Sequence, residues 1–443
     1  GTVRPEMSDR GTDVRSSGDD KAVQLVTFQG SDDLLRGVHL HHVLRRGARV
    51  LSSSTGSAST YGLSTRVTHL DAFLSHNWDV KRRGKFAALL FHFNAPLSVA
   101  ALLVVVVVLG PLALVRQLPV VASQSSGEKN GICCRLLGVP SVFLATVFLR
   151  DLLSVLGYGG PVVFLDKVCI SQVDEELQRR ALEKLGAFLA NSDTMVIVYT
   201  GLYLKKLWTV YEVGSFLILR PVRALRIVPV LQAVLYFAAW IYIYFYHALY
   251  VLVRARVPVN RLVVTVFLRS SAGFVFCAVL RSWARECVAI QRRLKTFSVR
   301  DCTCSVESDR SLLYGNIARL MVASRRAPFG ASEEVALGAF DRLVQCKLPS
   351  AFRSALGGTA FDYKRWLLIF ALDSGLSCLD ALTGQLSRGW DPLEALAHTN
   401  YHAVWIFLLW PLAFLAAEWL SRQFLDLGGW RQWAYLLVVI SSV

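Results

Sequence analysis

Charged residues are scarce in this sequence. Only 18% of the 443 residues are charged, whereas 54% are hydrophobic and the mean hydropathy is +0.43. An average soluble domain is about 25% charged and about 45–50% apolar. The composition therefore excludes a chain made only of average soluble domains, and it indicates membrane segments mixed with soluble parts.

Acidic residues are the scarcer of the two charged kinds. The 48 Lys and Arg outnumber the 32 Asp and Glu, which gives a net charge of +16. In a multi-pass protein, basic residues collect on the cytosolic side and attract anionic lipid. Nucleic-acid binding is the second interpretation, but the arginines adjoin apolar segments and form no basic stripe interleaved with aromatics. We therefore expect membrane lipid as a partner and no nucleic acid.

Patterns typical of metal sites and of common catalytic sets are missing from the sequence. Nine cysteines are scattered, and the pairs within 133–134 and 302–304 are too isolated for a zinc site, which needs about four ligands at regular spacing. No Ser/His/Asp or Cys/His set is recognisable, and the glycines within 157–160 lack the Lys-Ser/Thr that follows a phosphate-binding loop. We expect no metal site and no required cofactor.

Changes of composition divide the chain into segments. Residues 1–66 are rich in Ser, Gly, Arg and Asp and lack apolar periodicity, which predicts a disordered arm. The run "PLSVAALLVVVVVLGPLALV" at 96–115 is long enough to cross hydrocarbon. The predicted segments are a disordered N-terminal arm (1–66), two halves of an α/β domain (67–95 and 160–222), an inserted transmembrane hairpin (96–158), transmembrane helices (227–280), a cytosolic helical segment (281–365) and C-terminal transmembrane helices (366–443).

The α/β halves alternate strands and helices. Short apolar runs typical of buried strands end near Ser75, at Asp166 and at Thr200, and the run "VDEELQRRALEKLGAFLA" has the spacing of an amphipathic helix. This alternation predicts a parallel sheet with helices on both faces, in which ligands bind beyond the carboxyl ends of the strands. That edge would gather Ser75, His76, Asn77, Trp78, Asp166, Lys167, Tyr199 and Thr200, with Trp208 and Glu212 on the next helix.

The placement of charges predicts a topology. Basic clusters at 81–85, 220–226, 281–295 and 364–365 all fall on one side, so we expect the α/β domain to face the cytosol. Five charged residues lie in or near apolar runs, where ionised groups are costly and often functional. They are Arg150, Asp151, Arg269, Asp373 and Glu418.

These charges have two interpretations. Asp373 and Arg269 could pair inside a helix bundle or line a transport path. Alternatively, the charges snorkel to the membrane interface from span ends drawn too far inward. Both interpretations stay open at this point.

Three stretches of the α/β part, "DAFLSHNWD", "VVFLDK" and "ANSDTMVIVYTGLYLKKLWTVYEV", carry a family resemblance. They resemble the TIR (Toll/interleukin-1 receptor) domain, the flavodoxin-like module of innate-immunity receptors and of TIR-type NAD-consuming enzymes. The third stretch is the most specific, because it combines Ser, a buried strand, Tyr and Trp-x-x-x-Glu. The matching motifs cover only about residues 67–95 and 160–222, and the combination of such a domain with membrane segments resembles TIR-like multi-pass proteins of unicellular photosynthetic eukaryotes.

The resemblance implies a flavodoxin-like fold, split by the membrane hairpin, and a signalling role through self-association or other TIR-like domains. It also implies NAD as a substrate, because Glu212 occupies the position of the glutamate that catalytic relatives require for NAD cleavage. The residues expected to bind NAD are Ser75, His76, Trp78, Asp166 and Trp208. The chain departs from the family at Thr209, where many relatives have Cys, and in "DKVCISQVDEE", which lacks the usual Pro-Gly.

Chemistry supports the role expected for Glu212. Breaking the bond between nicotinamide and ribose generates an oxocarbenium-like cation, which a nearby carboxylate stabilises. The plain alternative is a first-turn acid favoured by the helix dipole. For the whole protein, two alternatives to NAD hydrolysis remain: a non-enzymatic TIR-type scaffold, and a channel or transporter with a regulatory α/β domain.

Overall fold

The computed structural model describes residues 26–122, 129–256, 281–282, 284–355, 363–404 and 412. The chain forms two compact units, each assembled from separated stretches. Unit 1 comprises Gly1–Phe86, Gly157–Val230 and Gln291–Ala355. Unit 2 comprises Ala87–Leu156, Leu231–Ile290 and Leu356–Val443.

Eight strands occur in the described residues, six of them in unit 1. They are β1 (Arg36–His39), β2 (Thr65–Arg66), β3 (Leu70–His76), β4 (Val120–Ala122), β5 (Lys129–Gly131), β6 (Val162–Phe164), β7 (Ser192–Tyr199) and β8 (Leu225–Pro229).

Most of the described chain is helical. The helices are α1 (Leu40–Ala48), α2 (Ala58–Tyr61), α3 (Arg82–Phe93), α4 (Ala95–Leu114), α5 (Cys133–Val155), α6 (Asp166–Cys169), α7 (Glu175–Glu183), α8 (Leu185–Ala190), α9 (Leu207–Leu219), α10 (Val230–Arg256), α11 (284–295), α12 (Ser308–Ala323), α13 (Glu333–Ala355), α14 (Tyr363–Ser387) and α15 (Pro392–Val404).

Unit 1 is built on a six-stranded sheet in the order β2-β1-β6-β3-β7-β8. Strands β6, β3, β7 and β8 are parallel to one another, whereas β1 runs antiparallel to both β2 and β6. The sheet is therefore mixed, and the prediction of a wholly parallel sheet is corrected at this edge.

The centre of the sheet is buried on both faces, as expected for parallel strands between helices. The Phe73 ring of β3 stacks on Phe164 of β6 with centroids 4.6 Å apart, and Phe164 lies 4.5 Å from Phe188 of α8. All three side chains are fully buried. This packing fixes the carboxyl ends of β3, β6 and β7 relative to each other.

The predicted disorder of residues 1–66 is wrong for 26–66, which contain β1, β2, α1 and α2; residues 1–25 lie outside the described residues. Buried Val38 lies on β1, where Gly37 packs so closely on the sheet that a Cβ would meet Val162 Cγ1 at 2.5 Å. The polar composition of this stretch did not predict a strand, because only a few apolar residues pack in the core and they stand among many Arg and His.

Two predicted boundaries also change. Residue 227, the predicted start of a transmembrane segment, lies instead within β8, which pairs with β7. The helix that follows begins at Val230. The segment predicted as a separate helical region at 281–365 contributes Gln291–Ala355 to unit 1. There Phe340 of α13 packs so tightly on α9 that a Cβ at Gly214 would overlap its ring.

Unit 2 contains apolar helices. Among the described residues, three helices are long and apolar enough to cross a membrane: Ala95–Leu114, Cys133–Val155 and Val230–Leu249. Polar contacts join α4 and α5, since Asn94 donates to the Thr146 carbonyl at 2.7 Å and accepts from Arg150 Nε at 2.8 Å. Part of the predicted C-terminal span forms α14, whereas Arg269 and Glu418 lie outside the described residues.

Candidate functional site

The candidate site lies where β3 and β7 end side by side. Along the chain, the parallel strands follow in the sequence β3, β6, β7, β8, but β6 lies on one side of β3 and β7 on the other. The connection that leaves β3 therefore runs towards β6, and the one that leaves β7 runs in the opposite direction, towards β8. Such a switch point opens a crevice beyond the carboxyl ends of the strands, where ligands bind in open α/β sheets.

Three side chains from three elements form a hydrogen-bonded chain at this point. Ser75, at the end of β3, donates from Oγ to Oε2 of Glu212 on α9 at 2.5 Å. The Tyr203 hydroxyl lies 2.6 Å from the same Oγ. When Glu212 is ionised, its carboxylate can only accept, so Ser75 donates to it and the Tyr203 hydroxyl donates to Ser75. Tyr203 and Ser75 are buried, and Glu212 is partly buried.

Burial dominates the electrostatics of this chain. It raises the pKa of Glu212 to about 8; the hydrogen bond from Ser75 opposes the rise, and the charge of Asp166 adds to it. Burial also raises the pKa of Tyr203 well above its usual range. Glu212 is therefore neutral in most molecules at pH 7 and ionises in mildly alkaline solution, in a range suited to acid–base or electrostatic catalysis.

The plain interpretation of Glu212 as a first-turn acid does not fit the helix. Helix α9 begins at Leu207, so Glu212 lies in its second turn. The stabilisation of an acid by the helix dipole falls off within the first turn. Glu212 is instead held by Ser75 at the end of the sheet.

A second group surrounds Trp78. The Trp78 indole donates to Asp166 Oδ2 at 3.0 Å, and Asp166 Oδ1 accepts from the backbone N–H of Lys167 at 2.7 Å. The ammonium group of Lys85 lies 4.5 Å from the centre of the Trp78 ring and donates to the Trp78 carbonyl at 3.3 Å. Trp78 and Asp166, which the sequence analysis placed at the same edge of the sheet, are thus in direct contact.

Lys85 was missed by sequence reasoning. It is fully buried, and burial lowers its pKa to about 8, although the nearby carboxylates of Asp166 and Asp79 oppose this effect. In the sequence it is one of several basic residues at the start of α3. Only the tertiary packing distinguishes it from exposed neighbours such as Arg82 and Arg83.

Three buried polar atoms at the same edge have no hydrogen-bond partner among the described residues. They are Nε2 of His76, Nδ2 of Asn77 and Oγ1 of Thr200. Leaving a buried polar group unpaired costs about 1–3 kcal/mol. Burial, assisted by the charge of Lys85, lowers the pKa of His76 to about 3, so its imidazole is neutral. A ligand rich in hydroxyl and amide groups, or water, would satisfy these atoms.

Trp208 lies apart from these contacts. Its indole donates to Asp309 Oδ2 of α12 at 3.1 Å, and its ring packs edge-on near Tyr211. The indole N–H is therefore already used by the helical segment that the sequence treated as separate. A role of Trp208 in binding NAD stays a prediction.

An unpredicted cluster lies near the amino ends of β3 and β7. Potential ligand atoms of His69, Asp71 and Asp193 lie within 4.8 Å of one another. Protein contacts already use these groups, because His69 pairs with Asp193 at 2.7 Å and Asp71 accepts from the Val162 N–H at 2.7 Å. All three residues are exposed, and their pairing across the strand ends accounts for the cluster.

No protein-family model, curated protein or solved structure matches the chain. Any functional assignment therefore depends on the chemistry of the site and on the sequence motifs themselves.

Proposed function

We propose that this chain is a multi-pass membrane protein whose unit 1 is a cytosolic TIR-like signalling domain that hydrolyses NAD through Glu212. The observation that carries the proposal is the position of Glu212. Its carboxyl group lies at the switch point of the sheet and is hydrogen-bonded to Ser75. The same edge holds polar atoms of His76, Asn77 and Thr200 that have no partner among the described residues.

The strand order supports the TIR-like part of the proposal. Numbered along the chain, the parallel strands have the spatial order 2-1-3-4, which corresponds to the first four strands of the flavodoxin-like order 2-1-3-4-5. The Trp-x-x-x-Glu motif begins at Trp208 in the helix after the third of these strands. The antiparallel β1 and the helices α12 and α13 are additions to this plan.

The reaction needs little from the protein beyond binding and charge stabilisation. A water oxygen bonds to the ribose C1′ while the bond from C1′ to the nicotinamide nitrogen breaks. The bonding electrons stay on that nitrogen, nicotinamide leaves uncharged, and a proton from the water passes to solvent. Ionised Glu212 stabilises the positive charge that develops on the ribose.

The raised pKa of Glu212 suits a cationic substrate. An opposite charge within about 4–6 Å favours the ionised form of a carboxyl group and lowers its pKa by about 1–3 units. The positively charged nicotinamide ring would therefore ionise Glu212 as it binds. An uncharged ligand of similar shape would leave the carboxyl group protonated at neutral pH.

Two features support the membrane part of the proposal. In the part of the chain that the structure describes, three helices have the length and composition to span a membrane, and the whole chain carries a net charge of +16. Basic residues flank the apolar helices at 81–85 and 220–226, on the stretches that belong to unit 1. By the positive-inside bias, unit 1 would face the cytosol.

The test is NAD turnover by the full chain reconstituted in liposomes, measured as released nicotinamide. We expect kcat/KM, which reports the free enzyme, to rise with pH towards about 8. It should fall by at least ~100-fold in Glu212→Gln, which keeps an acceptor for Ser75 but cannot ionise. Glu183→Gln is the matched control, because Glu183 is an exposed acid of α7.

Failure of the wild-type protein to release nicotinamide would refute the enzymatic proposal and favour the non-enzymatic scaffold. Equal turnover by folded Glu212→Gln and wild type would refute the role of Glu212.

A further inference from the structure

Tyr203 lies behind Ser75 in the hydrogen-bonded chain that ends at Glu212. It begins the 3-10 turn Tyr203–Lys205, just before α9, and its side chain is fully buried. Its hydroxyl contacts Ser75 Oγ at 2.6 Å, and Ser75 is its one hydrogen-bond partner among the residues that the structure describes. The phenol thus reaches Glu212 through a single serine.

The direction of this chain is fixed at Tyr203. Burial raises the pKa of Tyr203 well above its usual range, so the phenol keeps its proton. Ser75 Oγ is the acceptor that the described residues offer to this proton, and a buried donor left unpaired is costly. Tyr203 therefore donates to Ser75, and the Ser75 proton is directed to Glu212 Oε2 whether or not Glu212 is ionised. When Glu212 is neutral, its own proton then lies on Oε1.

Glu212 is consequently held by one of its two carboxyl oxygens. Oε2 accepts from Ser75, whereas Oε1 has no hydrogen-bond partner in the described part of the chain. Glu212 is partly exposed, and Oε1 is not one of the buried unpaired atoms of the site. Oε1 is therefore the oxygen that a ligand in the crevice can contact.

The turn that carries Tyr203 is held from two sides. On α9, Thr209 Oγ1 donates to the Tyr203 carbonyl. Thr209 is one of the positions at which the chain departs from TIR domains, and a hydroxyl is a stronger donor than the usual thiol. From the other side, the Thr303 N–H donates to the Lys205 carbonyl at 2.7 Å, and the Thr303 carbonyl accepts from the Leu207 N–H at 2.9 Å. Tyr203 is thereby fixed relative to the start of α9.

We propose that Tyr203 is a positioning residue, which acts through Ser75 to hold Glu212 by Oε2 and to keep Oε1 free for the ribose of NAD. This inference rests on the NAD hydrolysis proposed above. Tyr203 is too deeply buried to touch the substrate itself. Its hydroxyl makes Ser75 a donor, and a hydrogen bond donated to the ionised carboxyl group favours that form. Successive hydrogen bonds in such a chain strengthen one another.

Two other titratable groups among the described residues act near Glu212. The charge of Asp166, on α6, opposes ionisation of Glu212. On α9 itself lies Tyr211, and burial raises its pKa to about 12, so this phenol is uncharged. The hydrogen bond from Ser75 is therefore the described interaction that favours the ionised form of Glu212.

The experiment follows the ionisation of Glu212 in the full chain, reconstituted in liposomes. Its infrared carboxyl band is assigned by difference from Glu212→Gln, and in wild type it should disappear as the pH rises through about 8. Ser75→Ala should move this transition upward by about 1–2 pH units, because it removes a hydrogen bond to a charged group. Tyr203→Phe keeps the ring and should move it upward by up to about 1 unit.

A second variant at the same position tests the opposite direction. A fluorinated tyrosine in place of Tyr203 keeps the hydroxyl and the packing, but its phenol is more acidic and donates more strongly. The infrared transition of Glu212 should then move to lower pH. This variant keeps the test decisive if Tyr203→Phe fails to fold.

The pH dependence of NAD turnover distinguishes positioning from damage to the fold. In Tyr203→Phe, kcat/KM should fall by up to about 10-fold at pH 7 and recover towards the wild-type value in alkaline solution, where Glu212 ionises. Damaged packing would instead lower kcat/KM equally at every pH. The matched control is Ser192→Ala, because Ser192 is a buried serine of β7 that donates to the Phe188 carbonyl at 2.8 Å. It should leave the infrared transition unchanged.

An infrared transition that stays at the wild-type pH in both Tyr203 variants would overturn the proposal. So would a kcat/KM of Tyr203→Phe that is lowered equally at every pH. If wild type releases no nicotinamide but the infrared transition moves as expected, NAD hydrolysis is refuted, and the control of Glu212 by Tyr203 is supported.

Discussion

The substitution Glu212→Gln makes a prediction about stability that does not depend on NAD. Burial raises the pKa of Glu212 from its ordinary 4.5 to about 8. At any pH between these two values, Glu212 holds a proton in the folded chain but has released it in the unfolded chain. Stability from this group is fully present below pH 4.5 and is lost as the pH rises through 8. Glutamine cannot ionise, so the variant does not lose this stability as the pH rises.

The magnitude follows from the width of that pH range. At about 1.36 kcal/mol per pH unit, the interval from 4.5 to about 8 gives an upper limit of roughly 5 kcal/mol. Glu212 keeps part of its surface exposed, and solvent reduces the penalty, so we expect about 2–4 kcal/mol. Wild type should lose this much stability relative to Glu212→Gln between pH 5 and pH 9.

Native-state hydrogen exchange of the β3 and β7 amides measures this difference in the full chain, because these central strands report the opening of unit 1. Exchange is corrected for its intrinsic pH dependence and compared between wild type and Glu212→Gln at both pH values. Parallel pH dependence of the two proteins would refute the reasoning, since it would mean that Glu212 ionises in the folded state as easily as in water.

Two further substitutions test the packing of each unit. Gly214→Ala should destabilise unit 1 by about 1–3 kcal/mol, because the new Cβ would overlap the ring of Phe340. Hydrogen exchange of the α9 amides measures this loss. The second substitution Phe340→Leu in the same chain should restore part of the stability. Asp380→Asn should destabilise unit 2 by about 3 kcal/mol or more, because it removes the carboxylate that forms an ion pair with the Arg135 guanidinium. A thermal midpoint in nanodiscs equal to that of wild type would contradict this.

The centre of the sheet could be predicted from sequence because burial on both faces produces continuous apolar runs. Strands β3 and β7 both follow this pattern. The edge strands could not be predicted in the same way. β8, "LRIVP", merges with the apolar start of α10, and β1, "RGVH", has one strongly apolar residue among polar neighbours. Their pairing is decided by neighbouring strands, which the local sequence does not reveal.

The site was predictable only in part, for a related reason. Ser75 and Glu212 could be placed at one edge because a strand end and the following helix have fixed positions in an α/β sheet. The position of Tyr203 in their hydrogen-bonded chain and the burial of Lys85 depend on side-chain packing. The occupation of the Trp208 indole by Asp309 depends on α12, which is about one hundred residues away along the chain.

The interleaving of the two units constrains how the protein is made. Unit 1 is interrupted twice by stretches of unit 2, and β3 pairs with β7 across more than one hundred residues, so its sheet cannot close until the first interruption has been synthesised. If the apolar helices cross a membrane, the three stretches of unit 1 must all emerge on one side. Each interruption must then contain an even number of crossings. A single failed or extra crossing would separate β3 from β7, or α13 from α9, by the full thickness of the bilayer. In that case, correct insertion of the helices is a condition for folding of the α/β unit, and an error in topology would cause loss of the candidate site.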